Sequence, residues 1–139
     1  MAIRSFALVF GIIFLVLGIA GFIPALTTPI TGIGTGLTID AGTGLLFGLF
    51  PVNVVHNIVH LIFGVLGVLA FRSFPAALVY ARSVAVIFIV LTILGFIPVL
   101  RTIFGIVPLY GHDIWLHAII AVVAGYMGFI AHSGPPRTT

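Results

Sequence analysis

The chain has 139 residues, 62% of them hydrophobic and only 5% charged, with a mean hydropathy of +1.44. A soluble domain carries roughly a quarter charged residues, so most of this surface is not built for water. Five arginines stand against Asp40 and Asp113, with no lysine, glutamate or cysteine. That inventory excludes a basic nucleic-acid face, disulfide or iron–sulfur chemistry, and a carboxylate-bridged di-iron bundle.

A helix needs about 20 apolar residues to cross ~30 Å of hydrocarbon, and four stretches reach that length. The first covers about residues 3–26. Its apolar core exceeds a signal-peptide core and no clean small-x-small site follows, so it is expected to be retained. Residues 27–43 are rich in Thr and Gly and read as an irregular outer loop. The apolar segment GLLFGLFP after it is short, and is expected to lie at the interface or to re-enter partway. The second span covers about residues 52–71, introduced by Pro51 with Asn53 as N-cap. The third covers about 76–100 and the fourth about 112–130, ahead of a polar tail at 131–139. Pro24 and Pro98 end or kink the first and third helices near the outer side. Arg4, Arg72, Arg82 and Arg137 fall on one side and Arg101 on the other, which predicts cytoplasmic termini.

Self-similarity is the strongest pattern. GIIFLVLGIAGFIPAL (11–26) aligns without gaps on AVIFIVLTILGFIPVL (85–100), and FGLFPVNVVHNIVHLI from Phe47 aligns on FGIVPLYGHDIWLHAI from Phe104. The expected fold is therefore all-α: an integral membrane four-helix bundle built from two parallel helix-pair repeats. In this register His60 matches His117 and His56 matches Asp113, so each even-numbered helix carries a polar pair at i, i+4 on one face.

Ionisable groups inside a membrane are costly and face a bundle interior or a wet cavity. Three chemistries stay open for this set. His56, His60, Asp113 and His117 can ligate zinc or another divalent transition metal. His60 and His117 can instead be paired ligands of a haem or another tetrapyrrole, with His56 and Asp113 beside them. Interhelical hydrogen bonding is the plain alternative, and a proton or substrate path the third. Asn53, Asn57, His112 and Trp115 are supporting residues: the first and Asp113 suit helix starts, His112 suits headgroup water, and Trp115 with Tyr110 and Tyr80 suits an aromatic belt. His132 reads as interfacial. Gly11, Gly18, Gly21, Gly64 and Gly67, with Ala121, Ala124, Gly125 and Gly128, read as close-packing positions. Common enzyme motifs are missing, and no catalytic residue is assigned.

The NxxHNxxH element (Asn53, His56, Asn57, His60) and the GHDxxLH element (Gly111, His112, Asp113, His117) carry a resemblance. Over roughly residues 7–130 the chain resembles an uncharacterised family of small four-span proteins from cyanobacteria and actinobacteria, similar to DoxX-like membrane proteins. The resemblance implies a four-helix bundle in a prokaryotic cytoplasmic or thylakoid membrane, and transfers no activity. The functional expectation is an accessory or interaction subunit of a larger photosynthetic or respiratory membrane complex, or a homo-oligomer. Its alternatives are a tetrapyrrole- or metal-binding redox protein using His60 and His117, and a small transporter or proton path.

Overall fold

A computed structural model describes residues 2–30 and 36–131 of the chain. His132 and nearly all of the predicted tail lie outside them. Helix α1 (Ala2–Ala20) is apolar throughout after Arg4 and Ser5 and stops at Gly21, and Pro24–Leu26 follow as a single 3-10 turn. Helix α2 (Val54–Ala70) starts on Asn53, whose side chain accepts the His56 N–H at 2.9 Å. Helix α3 (Phe74–Phe96) starts on Ser73, which caps Ala76, with Pro75 in the first turn, and ends ahead of Pro98. Helix α4 (His112–Gly125) runs into one π turn, Tyr126–Ile130.

Helices α1, α3 and the combined α4 and π turn are long and apolar enough to cross a membrane. Helix α2, with 17 residues, stands at the short end of the spanning range of ~17–25. The surface supports the same solvent. Val16, Val79, Ile119 and Val122 are 57–72% exposed. Asn53, His56, Asn57, His60, Asp113 and His117 are all buried. Apolar outside and polar inside is the pattern of a bundle dissolved in lipid.

The helices pack mainly as two pairs, α1 on α2 and α3 on α4. Gly11 lies so close to Gly64 and Gly67 that a Cβ there would stand 2.7–2.9 Å from the α2 backbone. Several contacts fall at matching positions of the aligned sequences. Gly21 packs on the Asn57 side chain, and Gly95 on the Ile114 side chain. Arg4 Nε donates to the Phe71 carbonyl at 2.7 Å, and Arg82 Nε to the Gly128 carbonyl at 2.9 Å. In these two carbonyls the matching residues are the acceptors, while the arginines sit one turn out of register.

One part of the expected architecture is corrected. The fold is mostly helical but not all-α: a small antiparallel sheet joins β1 (Thr27–Thr28), β2 (Gly44–Leu46) and β3 (Phe50–Val52) in that order. The GLLFGLFP segment is a hairpin, with Leu46 paired to Phe50 and Gly44 to Val52. Its turn demands left-handed backbone at Phe47 (φ 54°) and Gly48 (φ 70°). Phe104 and Gly105, their matches in the second half, take φ 57° and 86°. There the chain makes turns without strands, and the Gly105 carbonyl accepts the Thr38 and Ile39 amides at 2.8 and 3.1 Å.

Candidate metal centre

The sheet end of the bundle carries the ionisable side chains. His56 and His60 lie in the first two turns of α2, and Asp113 and His117 in the first two turns of α4. At ~1.5 Å per residue, all four sit within about 10 Å of their helix starts. Spacing of four places each pair on one face, and both faces turn inward: the four residues are 1–7% exposed.

The His56 and His60 rings stack at 4.5 Å with 6° between their planes. His117 Nε2 lies 3.4 Å from Asp113 Oδ2 along α4. Between the helices, the close ring contact is His56 to His117, at 6.1 Å. His60 stands behind His56, and its Nδ1 is 3.0 Å from the His56 carbonyl. A carbonyl only accepts, so that nitrogen carries the proton and His60 Nε2 keeps the lone pair.

The floor is apolar. Phe14 packs on His60 at 5.5 Å and Phe88 on His117 edge-on at 5.0 Å. These two phenylalanines occupy matching positions of the repeat alignment, and that identity was the signal sequence reasoning passed over. Above, Asn53 ties the roof together. Its side-chain amide donates to the Ile39 carbonyl at 3.0 Å and the Ile106 carbonyl at 2.7 Å, joining the α1–α2 and α3–α4 loops to the start of α2. The backbone of Pro108 approaches the His56 ring.

His56, Asp113 and His117 each present a donor atom, and the three lie within 4.8 Å of one another. Tetrahedral zinc with bonds of ~2.1 Å holds its ligand atoms ~3.4 Å apart, so a shift of about 1 Å closes this set. Buried atoms without a hydrogen-bond partner gather here: His56 Nδ1, His117 Nδ1, Asp113 Oδ2 and the Asn57 amide nitrogen. A cavity of about 10 Å³ touches His56, Asn57, His60 and Asp113, which is room for one water. A second, of about 170 Å³, lies against His56, His60 and His117 on the side of Phe63, Ile87 and Leu91.

The supporting residues divide. Asn53 and Asn57 are buried at the site, the latter pressed against Gly21. His112 is exposed, and Trp115 is 61% exposed with its ring edge-on to Phe96 at 5.7 Å. Neither reaches the cluster's interior.

Fold and site together define a small helical bundle suited to a bilayer, with ionisable side chains enclosed at one end. The chain belongs to a family described as a domain of unknown function, DUF4383, whose model matches residues 4–130. No curated protein and no solved structure matches it.

Proposed function

We propose that this protein binds one divalent transition metal of the zinc class between α2 and α4, through His56, Asp113 and His117. One observation carries the reading: three buried residues each bring a donor atom within 4.8 Å of the others, and each of the three also holds a buried polar atom without a hydrogen-bond partner. A satisfied hydrogen-bond network would leave few such atoms, because each costs about 1–3 kcal/mol. Two imidazoles and a carboxylate suit zinc, and the water-sized cavity leaves a fourth position for one water. Asp113 supplies negative charge in the first turn of α4, where the helix dipole favours it. His60 acts from outside the ligand set: stacked on His56 and bonded to its carbonyl, it fixes the ring that ligates.

A tetrapyrrole is the less favoured ligand. The space beside the histidines is about 170 Å³, below the ~300 Å³ at which small-molecule sites begin. His56, stacked on His60, fills the ground an axial pair of His60 and His117 needs.

The bundle is read as four spans with cytoplasmic termini, arranged as two parallel helix pairs in a prokaryotic membrane. The paired left-handed turns at Phe47 and Phe104, the paired phenylalanine floors and the paired carbonyl acceptors support a duplicated unit. The metal site then faces the outer leaflet.

Cobalt substitution tests the metal reading. Purified protein stripped with chelator and loaded with Co²⁺ is expected to take up one ion per chain, with the visible bands of a four-coordinate site. Zinc should displace them. No uptake at micromolar metal, or uptake unchanged in the His56→Ala/His117→Ala double variant, sinks the proposal.

A further inference from the structure

Between α2 and α3, on the lipid-facing side, lies an apolar groove of about 730 Å³, lined by Leu66, Leu69, Val79, Tyr80 and Ile87 among others; its Ile87 end adjoins the smaller cavity beside the histidines, and its other end runs away from them. One end is closed by the turn at residues 71–73, since Leu69 and Ala70 line it from α2 and Pro75 and Ala76 from α3. From Pro75 to Ile87 the groove runs ~18 Å at 1.5 Å per residue. That is about the depth of one leaflet's hydrocarbon, half of ~30 Å.

Length and lining point to the occupant. A lipid acyl chain extends through one leaflet, the same ~18 Å the groove runs, and the apolar lining matches it.

Charge selects the kind of lipid. The turn at the groove's end carries Arg72, which is exposed. Arg4 and Arg82 donate to backbone carbonyls, and Arg101 lies over the Tyr110 ring. Arg72 has no such partner among the described residues. Nor can the sequence offer it a nearby carboxylate, because Asp40 and Asp113 both belong to the opposite end. An arginine at headgroup level beside a chain-sized groove matches a phosphate with its acyl chains.

We propose that this groove is a binding site for an anionic phospholipid, its chains between α2 and α3 and its phosphate on Arg72. This inference stands apart from the metal reading, and either can fail alone.

The test compares phosphatidylglycerol with phosphatidylcholine of identical chains, by native mass spectrometry of the detergent-solubilised protein and by lipid-induced thermal stabilisation. Phosphatidylglycerol is expected to be retained at least fivefold better. Arg72→Gln should erase that preference, whereas Arg101→Gln at the other end should keep it. Val79→Trp, at a position 64% exposed and therefore tolerant of bulk, should reduce retention of both lipids by filling the groove. Equal retention of the two lipids by the wild type overturns the proposal. So does a preference that survives Arg72→Gln, or one that falls equally with Arg101→Gln, which marks general surface attraction. Unchanged retention in Val79→Trp places the lipid elsewhere and overturns it too.

Discussion

The imidazole of His56 lies flat on that of His60, 4.5 Å away and 6° from parallel, and it is His56 that meets His117 across the helix interface. On the metal reading, the two histidines of α2 differ in role: His56 ligates and His60 orients it. His56→Ala is expected to abolish cobalt uptake by removing a ligand. His60→Ala should weaken it about 10- to 100-fold, the usual cost of losing a group that orients a ligand. Affinities of the two variants, measured by competition with a chelating dye, check the order. Equal losses, or a larger one in His60→Ala, contradict it.

Asn53 caps α2 and clamps two loops at once, with no exposed surface. Asn53→Ala removes an N-cap worth about 1 kcal/mol and strips two carbonyls of a donor, so a loss of about 2–4 kcal/mol is expected. Asn53→Asp keeps the capping oxygen but sets a buried carboxyl oxygen against the two carbonyls. It should therefore cost at least as much stability as Asn53→Ala while leaving the start of α2 helical. Unfolding in mixed detergent, followed by circular dichroism, separates the two variants.

This residue also marks how far the sequence could be read. Its cap was legible because Asn at that position, three residues ahead of His56, is a local signal. Its bonds to Ile39 and Ile106 were not, since they join loops that carry no periodicity. The long helices and the buried polar faces followed from apolar runs and from i, i+4 spacing. The hairpin at residues 44–52 escaped because its signal is a left-handed Phe47–Gly48 turn inside an apolar run that looks like membrane-interface sequence. The repeat alignment set His60 and His117 at similar distances along α2 and α4 but not their rotation about each helix axis. Rotation decides which rings touch, and it brought His56 to His117 instead.

Gly21 and Gly95 end their helices against a side chain of the adjacent helix or its start. A Cβ on Gly21 collides with the Asn57 side chain, and one on Gly95 stands 2.6 Å from the Leu109 carbonyl oxygen. Each Gly→Ala change should destabilise by about 1–3 kcal/mol through overpacking. They should differ at the site. Gly21→Ala displaces Asn57, the neighbour of His56, and should weaken metal binding. In Gly95→Ala the effect on affinity should be smaller, because Ile114 carries no donor atom. Thermal unfolding and metal titration of both variants read the two effects separately.

Burial raises the Tyr110 phenol above its ordinary value, and Arg101, 5.8 Å from the ring, opposes the shift. A group held protonated by the fold contributes its stability in full below the unfolded value of ~10, and loses it as pH climbs through the raised folded value. The native state should therefore weaken above about pH 10. Tyr110→Phe removes the ionisation, so its stability should fall less steeply there than the wild type's. Parallel denaturation series from pH 8 to ~11 compare the slopes. Identical slopes assign the alkaline loss to another group.

The four-span topology makes a sharp accessibility prediction, helped by a chain with no native cysteine. Ala25 is exposed beside the sheet, whereas Arg72 is exposed in the α2–α3 turn at the other end. If α2 spans despite its 17 residues, these positions lie on opposite sides of the membrane. In intact cells, Ala25→Cys should react with a membrane-impermeant maleimide, and Arg72→Cys should react only after permeabilisation. Four arginines near one side and one near the other set the direction. The reverse labelling pattern keeps the bundle and inverts it, which would turn the metal centre toward the cytoplasm. Labelling of both sites in intact cells rejects α2 as a span, and with it a site enclosed between two membrane-crossing helices.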